Sequence, residues 1–446
     1  MAGIVGINKT GQKDLVKKML EKISYRGTTG FEIIETNAAT LGVVFPLQQK
    51  DTAFSSSKNI FVQDTAGSGH FSKAELKNEK LILERDELGI APLYFGKTTD
   101  GITCFSSEIK SLLTATKDVN EFPPGHKFSD GKLTQYFNLQ KKQEINDPPE
   151  VIAKMLRKLL EESISKRIKT DFFGSWLSGG LDSSTIAAIA CRFTKTLHTF
   201  SAGLKNAPDL EFARIVANHI KSVHHEIVVE FNDMIKILPE VIYHLESFDA
   251  LLVRSSIVNY IAAKAASDYV SEIFSGEGGD ELFAGYDYIK TLNLESIPDE
   301  LIDITGRLHN TAFQRVDRCA AAHSTIPHVV FADPNVFNYA FSIPAKYKLK
   351  DGIEKWILRE SVNDLLPDLI LNRTKAKFWQ GAGVNELFSE YAAKKVSDRD
   401  FTNERTLTNG WNLNSKEELF YFRIFKEYFG EASNYDWMGR TKIVTI

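Results

Sequence analysis

The chain reads as an α/β protein: a doubly wound parallel sheet preceded by a smaller, sheet-rich unit. Three observations predict this. From about residue 150 onward, helical patterns such as 151–169 alternate with short buried-looking runs at 172–177, 197–202 and 270–274. Strand–helix alternation implies a parallel sheet wound by helices, with ligands at the carboxyl ends of its strands. Two glycine-rich segments each follow such a run, so they are expected to meet at one mouth of the sheet. Residues 1–140 show short alternating runs and many turns, which reads as a sheet-rich α/β unit.

In that first unit the strand-like runs are Gly3-Ile4-Val5-Gly6-Ile7, Lys80-Leu81-Ile82-Leu83-Glu84, Leu93-Tyr94-Phe95 and Gly101-Ile102-Thr103-Cys104-Phe105. The stretch 40–80 is short and mostly polar. A polar segment, Gln140 to Pro149, is the expected linker. The division is therefore 1–140 and 150–446.

Composition excludes several classes. A chain of 446 residues is long enough for two or three domains, each with its own core. A formal charge of −4 gives no global attraction to nucleic acid or membrane. Cys104, Cys191 and Cys319 lie far apart without metal-ligand spacing, which fits a reducing compartment. No apolar stretch approaches the ~20 residues needed to span a bilayer. The amino terminus lacks the charged-then-apolar layout of a signal sequence, so a cytoplasmic protein is expected.

The most telling segment is Ser178-Gly179-Gly180-Leu181-Asp182-Ser183-Ser184. It lies between the apolar run 172–177 and an Ala- and Ile-rich helical pattern at 185–193. A strand–glycine turn–helix gathers free backbone N–H groups and the helix dipole at one point, which suits phosphate. Ser178, Ser183 and Ser184 add hydroxyl donors. Asp182 repels a bound anion unless a cation lies between them, so it reads as a Mg2+ ligand beside the pyrophosphate of ATP. The plainer alternative is a Ser/Gly turn capping a helix. No lysine follows the second glycine, so the Walker pattern does not apply.

A second segment, Ser275-Gly276-Glu277-Gly278-Gly279-Asp280-Glu281-Leu282-Phe283-Ala284-Gly285-Tyr286, brings a family into view. With Leu197 to Leu204, Val223 to Ile227, Arg373 to Phe378, Gly381, Gly383 and Ser415 to Arg423, it closely resembles the synthetase domain of asparagine synthetase. The likeness covers most of the chain beyond about residue 151. It implies an ATP-pyrophosphatase (adenine nucleotide alpha hydrolase-like) domain that splits ATP into AMP and pyrophosphate. The first unit resembles the family's glutamine amidotransferase domain through Met1 to Gly6, Tyr25-Arg26-Gly27, Leu83 to Tyr94 and Ser106 to Lys110. That implies a shortened αββα domain of the Ntn-hydrolase kind.

The resemblance assigns the pyrophosphate clamp to Ser178, Gly179, Gly180, Asp182, Ser183 and Ser184. It sets Leu177 and Ala202 at adenine, Ser275 and Gly276 near the ribose and α-phosphate, and Asp182 with Asp280 around Mg2+. Glu277 matches a glutamate beside the acyl-adenylate, suited to position an amine or accept its proton. Lys375 matches a lysine at the reacting centre, where a cation stabilises a tetrahedral intermediate. Arg254 matches a position that pairs a substrate carboxylate. Arg373 and Lys377 are weaker assignments, suited to shaping the loop or neutralising phosphate from a distance. His224 and His225, adjacent on a strand, face opposite ways and read as structural.

Two departures stand out. Ala2 occupies the place of the family's cysteine nucleophile, so no thioester with glutamine can form. The Asn-Gly-Glu strand, a downstream Asp and an arginine after residues 41–45 are also missing, which favours a natural loss over a laboratory Cys-to-Ala change. In the synthetase unit, Leu251 and Leu252 replace threonines, while Ile326 and His328 replace Glu and Arg. An acyl substrate larger or less polar than aspartate is implied, or a repacked region away from the pocket.

The expected activity is an AMP-forming carbon–nitrogen ligase using ATP and Mg2+. It adenylates a small-molecule carboxylate and passes it to ammonia or an amine, without glutaminase activity. Two variants stay open: a glutamine-dependent asparagine synthetase with an engineered Ala2, and an intramolecular enzyme like β-lactam synthetase or a peptide cyclase. A silent scaffold is disfavoured by the retention of Asp182, Glu277, Asp280 and Lys375 together. No basic, aromatic-rich patch points to nucleic acid, and a homodimer is left open.

Overall fold

The structure is a computed structural model that describes residues 1–442 apart from 58, 68, 375–380 and 385. The first unit folds into two six-stranded antiparallel sheets. One runs Asn120–Glu121, Tyr94–Lys97, Thr103–Ser106, Gly3–Ile7, Thr40–Phe45, Gly30–Glu35 in spatial order. The other runs Lys132–Gln135, His126–Ser129, Lys80–Arg85, Phe71–Lys77, Ile60–Thr65, Phe54–Ser55. Ile4, Leu41 and Val43 of the first sheet share one apolar cluster with Val62, Ala74 and Leu83 of the second. Face-to-face packing of this kind buries alternate residues of each strand. The helix Lys13–Glu21 covers the other face of the first sheet, and a side chain at Gly42 would come within 2.7 Å of Val16.

The region 40–80 is more regular than its polarity implies. It holds four strands and the first residue of a fifth, because Val62 and Ala74 point inward while Lys73 and Glu75 alternate outward and pair at 3.0 Å. A half-solvated strand reads as polar when its inward residues are small. After Gln135 the chain runs without regular structure to the helix Pro149–Ser165, which starts with proline in its first turn. On the way the N–H of Ile145 donates to the carbonyl of Ser342 at 3.0 Å.

The second unit is built on a five-stranded parallel sheet ordered Val223–Val229, Thr196–Leu204, Phe172–Trp176, Glu272–Ser275, Ile326–Val329. All four pairings are parallel. Phe172–Trp176 comes first in sequence and lies in the middle. The next two strands build outward on one side and the last two on the other, so the order reverses between Phe172–Trp176 and Glu272–Ser275. A reversal of this kind opens a crevice at the carboxyl ends of the strands. Phe173 stacks on Phe274 at 4.4 Å between ring centroids, fastening the two strands that flank the crevice.

The units are joined by a buried ionic cluster. Arg26, fully buried, donates from Nη1 to Glu108 at 2.7 Å, from Nη2 to Asp64 at 3.1 Å, and to both oxygens of Asp317 at 2.9 Å. Its Nε donates to the carbonyl of Ala2 at 2.8 Å. Arg318 adds Glu246 at 2.9 Å, and the Glu246 carboxylate accepts from the backbone N–H groups of Ile109 and Lys110. Asp317, Arg318 and Glu246 belong to the second unit. Buried charges persist only where each is matched by several partners.

Candidate active site

Both glycine-rich loops emerge at the reversal of strand order, one after Phe172–Trp176 and the other after Glu272–Ser275. They touch because two glycines allow it. A side chain at Gly276 would meet the backbone of Ser183 at 2.7 Å, and one at Gly279 would meet the Asp182 carboxyl at 2.5 Å. Gly278, at φ 94°, lies in the left-handed region and turns the chain into the short helix Gly279–Phe283.

The first loop leads into the helix Leu181–Ala190, whose N–H groups point back toward the crevice. Its hydroxyls are held in place by one another. Ser183 Oγ accepts from the Ser178 N–H at 3.2 Å and lies 3.1 Å from Ser178 Oγ, which accepts from the Gly180 N–H at 3.3 Å. The result is a preformed cradle of N–H and O–H donors, the requirement for a bound phosphate.

A cleft of about 550 Å³ opens above these loops. Leu177, Ser178, Gly180, Asp182, Ser183, Ala202, Ser275, Gly276, Glu277 and Asp280 all line it, so the structure brings together most of the residues that the sequence singled out. Two residues of the first loop do not reach it. Gly179, at φ 69°, is pressed against the helix Pro208–Ile220, where a Cβ would come within 2.4 Å of Phe212. Ser184 is wholly buried beneath its own helix. Lys375 and Lys377 lie outside the described residues, though Arg373, Thr374 and Ala382 line the cleft.

Arg254 is placed differently from the sequence expectation. It is buried, and its Nε donates to Glu417 Oε1 at 2.6 Å while Nη2 contacts Glu417 Oε2. The Tyr421 hydroxyl completes the group by donating to the same carboxylate at 2.9 Å. Arg254 is absent from the cleft lining, where its helix, Ala250–Ser267, presents Leu251, Leu252, Ser255, Val258, Asn259 and Ala262 instead. Its bidentate fork is spent on a side chain of the same chain.

Two site residues, Lys355 and Arg315, went unseen in the sequence, while Arg373 and Glu281, which lie in segments the sequence singled out, are given partners by the fold. Lys355 reaches between the two aspartates, with Nζ 2.5 Å from Asp182 Oδ2 and 2.6 Å from Asp280 Oδ1. A side chain at Gly285 would sit 2.2 Å from Lys355 Cε, so that glycine leaves the lysine room. Arg315 forms a contact ion pair with Glu277. Arg373 donates to the Ser178 carbonyl at 3.1 Å, and its other nitrogen pairs with Asp209 at 2.5 Å. Glu281 accepts a bond from the Tyr286 hydroxyl, and burial beside Asp280 and Glu277 pushes its carboxyl up to about 8. Arg315 sits within the helix Ala312–Ala321 and Lys355 in a turn just before the helix Trp356–Ser361, both far along the chain from the loops they serve, so no local pattern marks either.

His224 bonds to Thr199 at 3.0 Å and lies 3.2 Å from Ser201, while His225 lies 3.0 Å from His198. The two histidines therefore face opposite ways, and among the described residues no group of three His, Cys, Asp or Glu is arranged to hold a metal. Two carboxylates sharing one cation match how Mg2+ is carried with a nucleotide, where phosphate oxygens and water supply the remaining ligands. Asp182 and Asp280 fit that donor set. No helix among the described residues is long and apolar enough to cross a membrane.

Comparison with known proteins agrees with this geometry. The Asparagine synthase family matches residues 155–303 and 299–441, and the Glutamine amidotransferase domain family matches 58–170. Glutamine-hydrolysing asparagine synthetase 3 of Arabidopsis thaliana is 33% identical over 398 residues, covering 84% of this chain and 69% of its own length. The corresponding enzyme of Zea mays is 34% identical over 399 residues, covering 84% of this chain and 68% of its own. Among solved structures, NMN synthetase from Francisella tularensis overlaps at a TM-score of 0.31 and 12% identity, covering 64% of this chain and 94% of that one, too slight a likeness to bear on the site. The chain belongs to the asparagine synthetase family and is an ATP-dependent carbon–nitrogen ligase of that type.

Proposed function

We propose that this protein activates a carboxylate as its acyl-adenylate with ATP and Mg2+, then transfers the acyl group to ammonia or an amine, without hydrolysing glutamine itself. The observation that carries the reading is the meeting of Asp182 and Asp280 on one cation, directly beside the N–H cradle of the first loop. Ser178, Gly180 and Ser183 hold the pyrophosphate, Gly179 lets the loop close on its neighbouring helix, and Ser184 supports the cradle from below. Leu177 and Ala202 take the adenine, with Ser275 and Gly276 near the ribose and α-phosphate. Asp182 and Asp280 hold Mg2+, which supplies charge neutralisation on the departing pyrophosphate.

Glu277, oriented by Arg315, lies beside the acyl group and accepts the proton that the attacking amine loses. Lys375 is assigned to the oxyanion of the tetrahedral intermediate. Units 1–140 and 150–446 divide the labour, the first acting as a structural partner of the second. The buried surroundings of Ala2 support the loss of glutaminase activity. Ala2 and Met1 are fully buried, and Arg26 is saturated by carboxylates. A monomer or homodimer acting on small molecules in the cytoplasm suits this chemistry.

The test is the production of AMP and pyrophosphate from ATP across a panel of carboxylic acids, with and without ammonia. Acid-dependent AMP formation that disappears in Asp182→Ala, with the fold intact by circular dichroism, is expected. AMP formation that persists in that variant would remove the site from the reaction.

A further inference from the structure

Besides the polar loop residues, the cleft is lined by a set of aliphatic side chains. Helix Ala250–Ser267 runs along one wall, presenting Leu251, Ser255, Val258 and Ala262 at helical spacing. Eleven residues at 1.5 Å each make that stripe about 16 Å long. Its Ala262 end shares an apolar cluster with Ala202, beside the first loop. At the other end, Asp249 caps the helix and holds Thr441, and the same cleft is lined by Ile304, Leu308 and Ala312, the last of these one turn before Arg315 on its own helix.

The rim of this far end is charged, yet its charges are engaged with one another. Lys442 donates to Glu300 at 2.7 Å and to Asp303 at 2.9 Å, Arg307 pairs with Asp303 at 3.0 Å, and Arg440 pairs with Glu418 at 3.3 Å. Thr441 is tied down as well, its hydroxyl donating to Asp249 at 2.7 Å and its N–H to the same carboxylate at 3.2 Å. Arg254, near the start of this helix, is paired with Glu417 below the surface.

We infer that the acyl end of the cleft accepts a carboxylic acid with an uncharged aliphatic body, selected by Leu251, Leu252, Ile304 and Leu308. The inference rests on the adenylating function proposed above and names the class of its acyl substrate. An amino acid carrying further charges would have to desolvate them against aliphatic walls or break the rim pairs, and a charge buried without a partner is strongly disfavoured. An aliphatic chain displaces water from the same walls and leaves every rim pair standing.

The deciding experiment compares kcat/KM for pyrophosphate release from ATP and Mg2+, in ammonia, with L-aspartate, isovalerate, hexanoate and octanoate. The best aliphatic acid is expected to exceed aspartate by roughly tenfold or more, the selectivity that apolar pockets supply. Leu251→Thr, at a half-buried position that tolerates the change, is expected to lower kcat/KM for that acid by about tenfold while ATP affinity holds. Preference for aspartate by the wild-type protein, or an unaltered aliphatic rate in Leu251→Thr, would overturn the aliphatic pocket and leave adenylation standing. Absence of pyrophosphate with every acid would bring down the adenylating function, and this inference with it.

Discussion

The ammonium of Lys355 is held between Asp182 at 2.5 Å and Asp280 at 2.6 Å, at the point where the two glycine-rich loops meet. The lysine is 2% exposed, so it neutralises two carboxylates that would otherwise repel each other in a nearly dry setting. It occupies the position between the aspartates that a divalent cation needs. Under the proposed function metal and lysine would compete for one site, and a nucleotide bringing its own phosphates would offer the lysine a new partner.

Replacing Lys355 with Met tests this competition. Removing one member of a buried charge cluster costs about 3 kcal/mol or more, so the melting temperature should fall. Millimolar Mg2+ or Mn2+ should recover most of the loss in the variant without ATP, while the wild-type protein shows little metal effect until nucleotide is present. Thermal unfolding with and without metal reads both. Equal metal responses in the two proteins would show that the lysine does not hold the metal position.

Lys348 makes a different electrostatic prediction. It is buried with the Phe341 ring 5.6 Å from its Nζ, and desolvation pushes its ammonium down to about 7, partly opposed by Glu144. In the unfolded chain the same group titrates near 10.5. Between those values the unfolded state binds the extra proton, so stability rises with pH across the window from about 7 to 10.5. Below it both states are charged and the full cost of burial is felt. Lys348→Met should be stabilising at pH 6 by a few kcal/mol, on the order of what a buried lysine costs, with the gain shrinking toward pH 10. Urea midpoints at the two pH values measure the difference, and a gain independent of pH would assign it to packing instead.

How much of this was legible in the sequence follows from where the determinants lie. The phosphate loops were legible because glycines and small hydroxyl residues mark a strand–turn–helix locally, and their meeting follows from parallel topology. Lys355 and Arg315 were not, since a lysine in a turn or an arginine in a helix looks like any solvated charge until the tertiary fold brings it to its partner. Arg254 could be aligned with a substrate position, but its partner Glu417 lies far along the chain on the helix Lys416–Phe429. The strands within 40–80 were hidden because small inward residues such as Ala74 weaken the apolar alternation.

The Arg254–Glu417 pair yields a prediction of its own. Arg254→Met alone leaves the Glu417 carboxylate buried beside the Tyr421 hydroxyl and should cost about 3–5 kcal/mol. Arg254→Met combined with Glu417→Met replaces the pair by apolar groups of similar length and should regain most of that loss. Thermal unfolding of the wild type, both single variants and the double variant closes the cycle. If the arginine served substrate directly, the double variant would melt normally yet lose affinity for the acid. A KM for the acid within about threefold of wild type is expected, well under the tenfold that 1.4 kcal/mol of lost binding produces.

Ala2→Cys asks whether the first unit keeps any latent glutaminase chemistry. A thiol at position 2 would be fully buried, as Ala2 is, next to a carbonyl already taken by Arg26 at 2.8 Å. The guanidinium cannot turn to a substrate without abandoning Glu108, Asp64 and Asp317, and Asp317 belongs to the second unit, so freeing it would loosen the contact between units. Thiolate formation is disfavoured by burial as well. The variant should therefore release no glutamate from glutamine above background, and the new thiol should react with a disulfide reagent only on unfolding. Measurable glutamate release, or prompt labelling of the folded protein, would show that the ionic cluster leaves the ancestral pocket open.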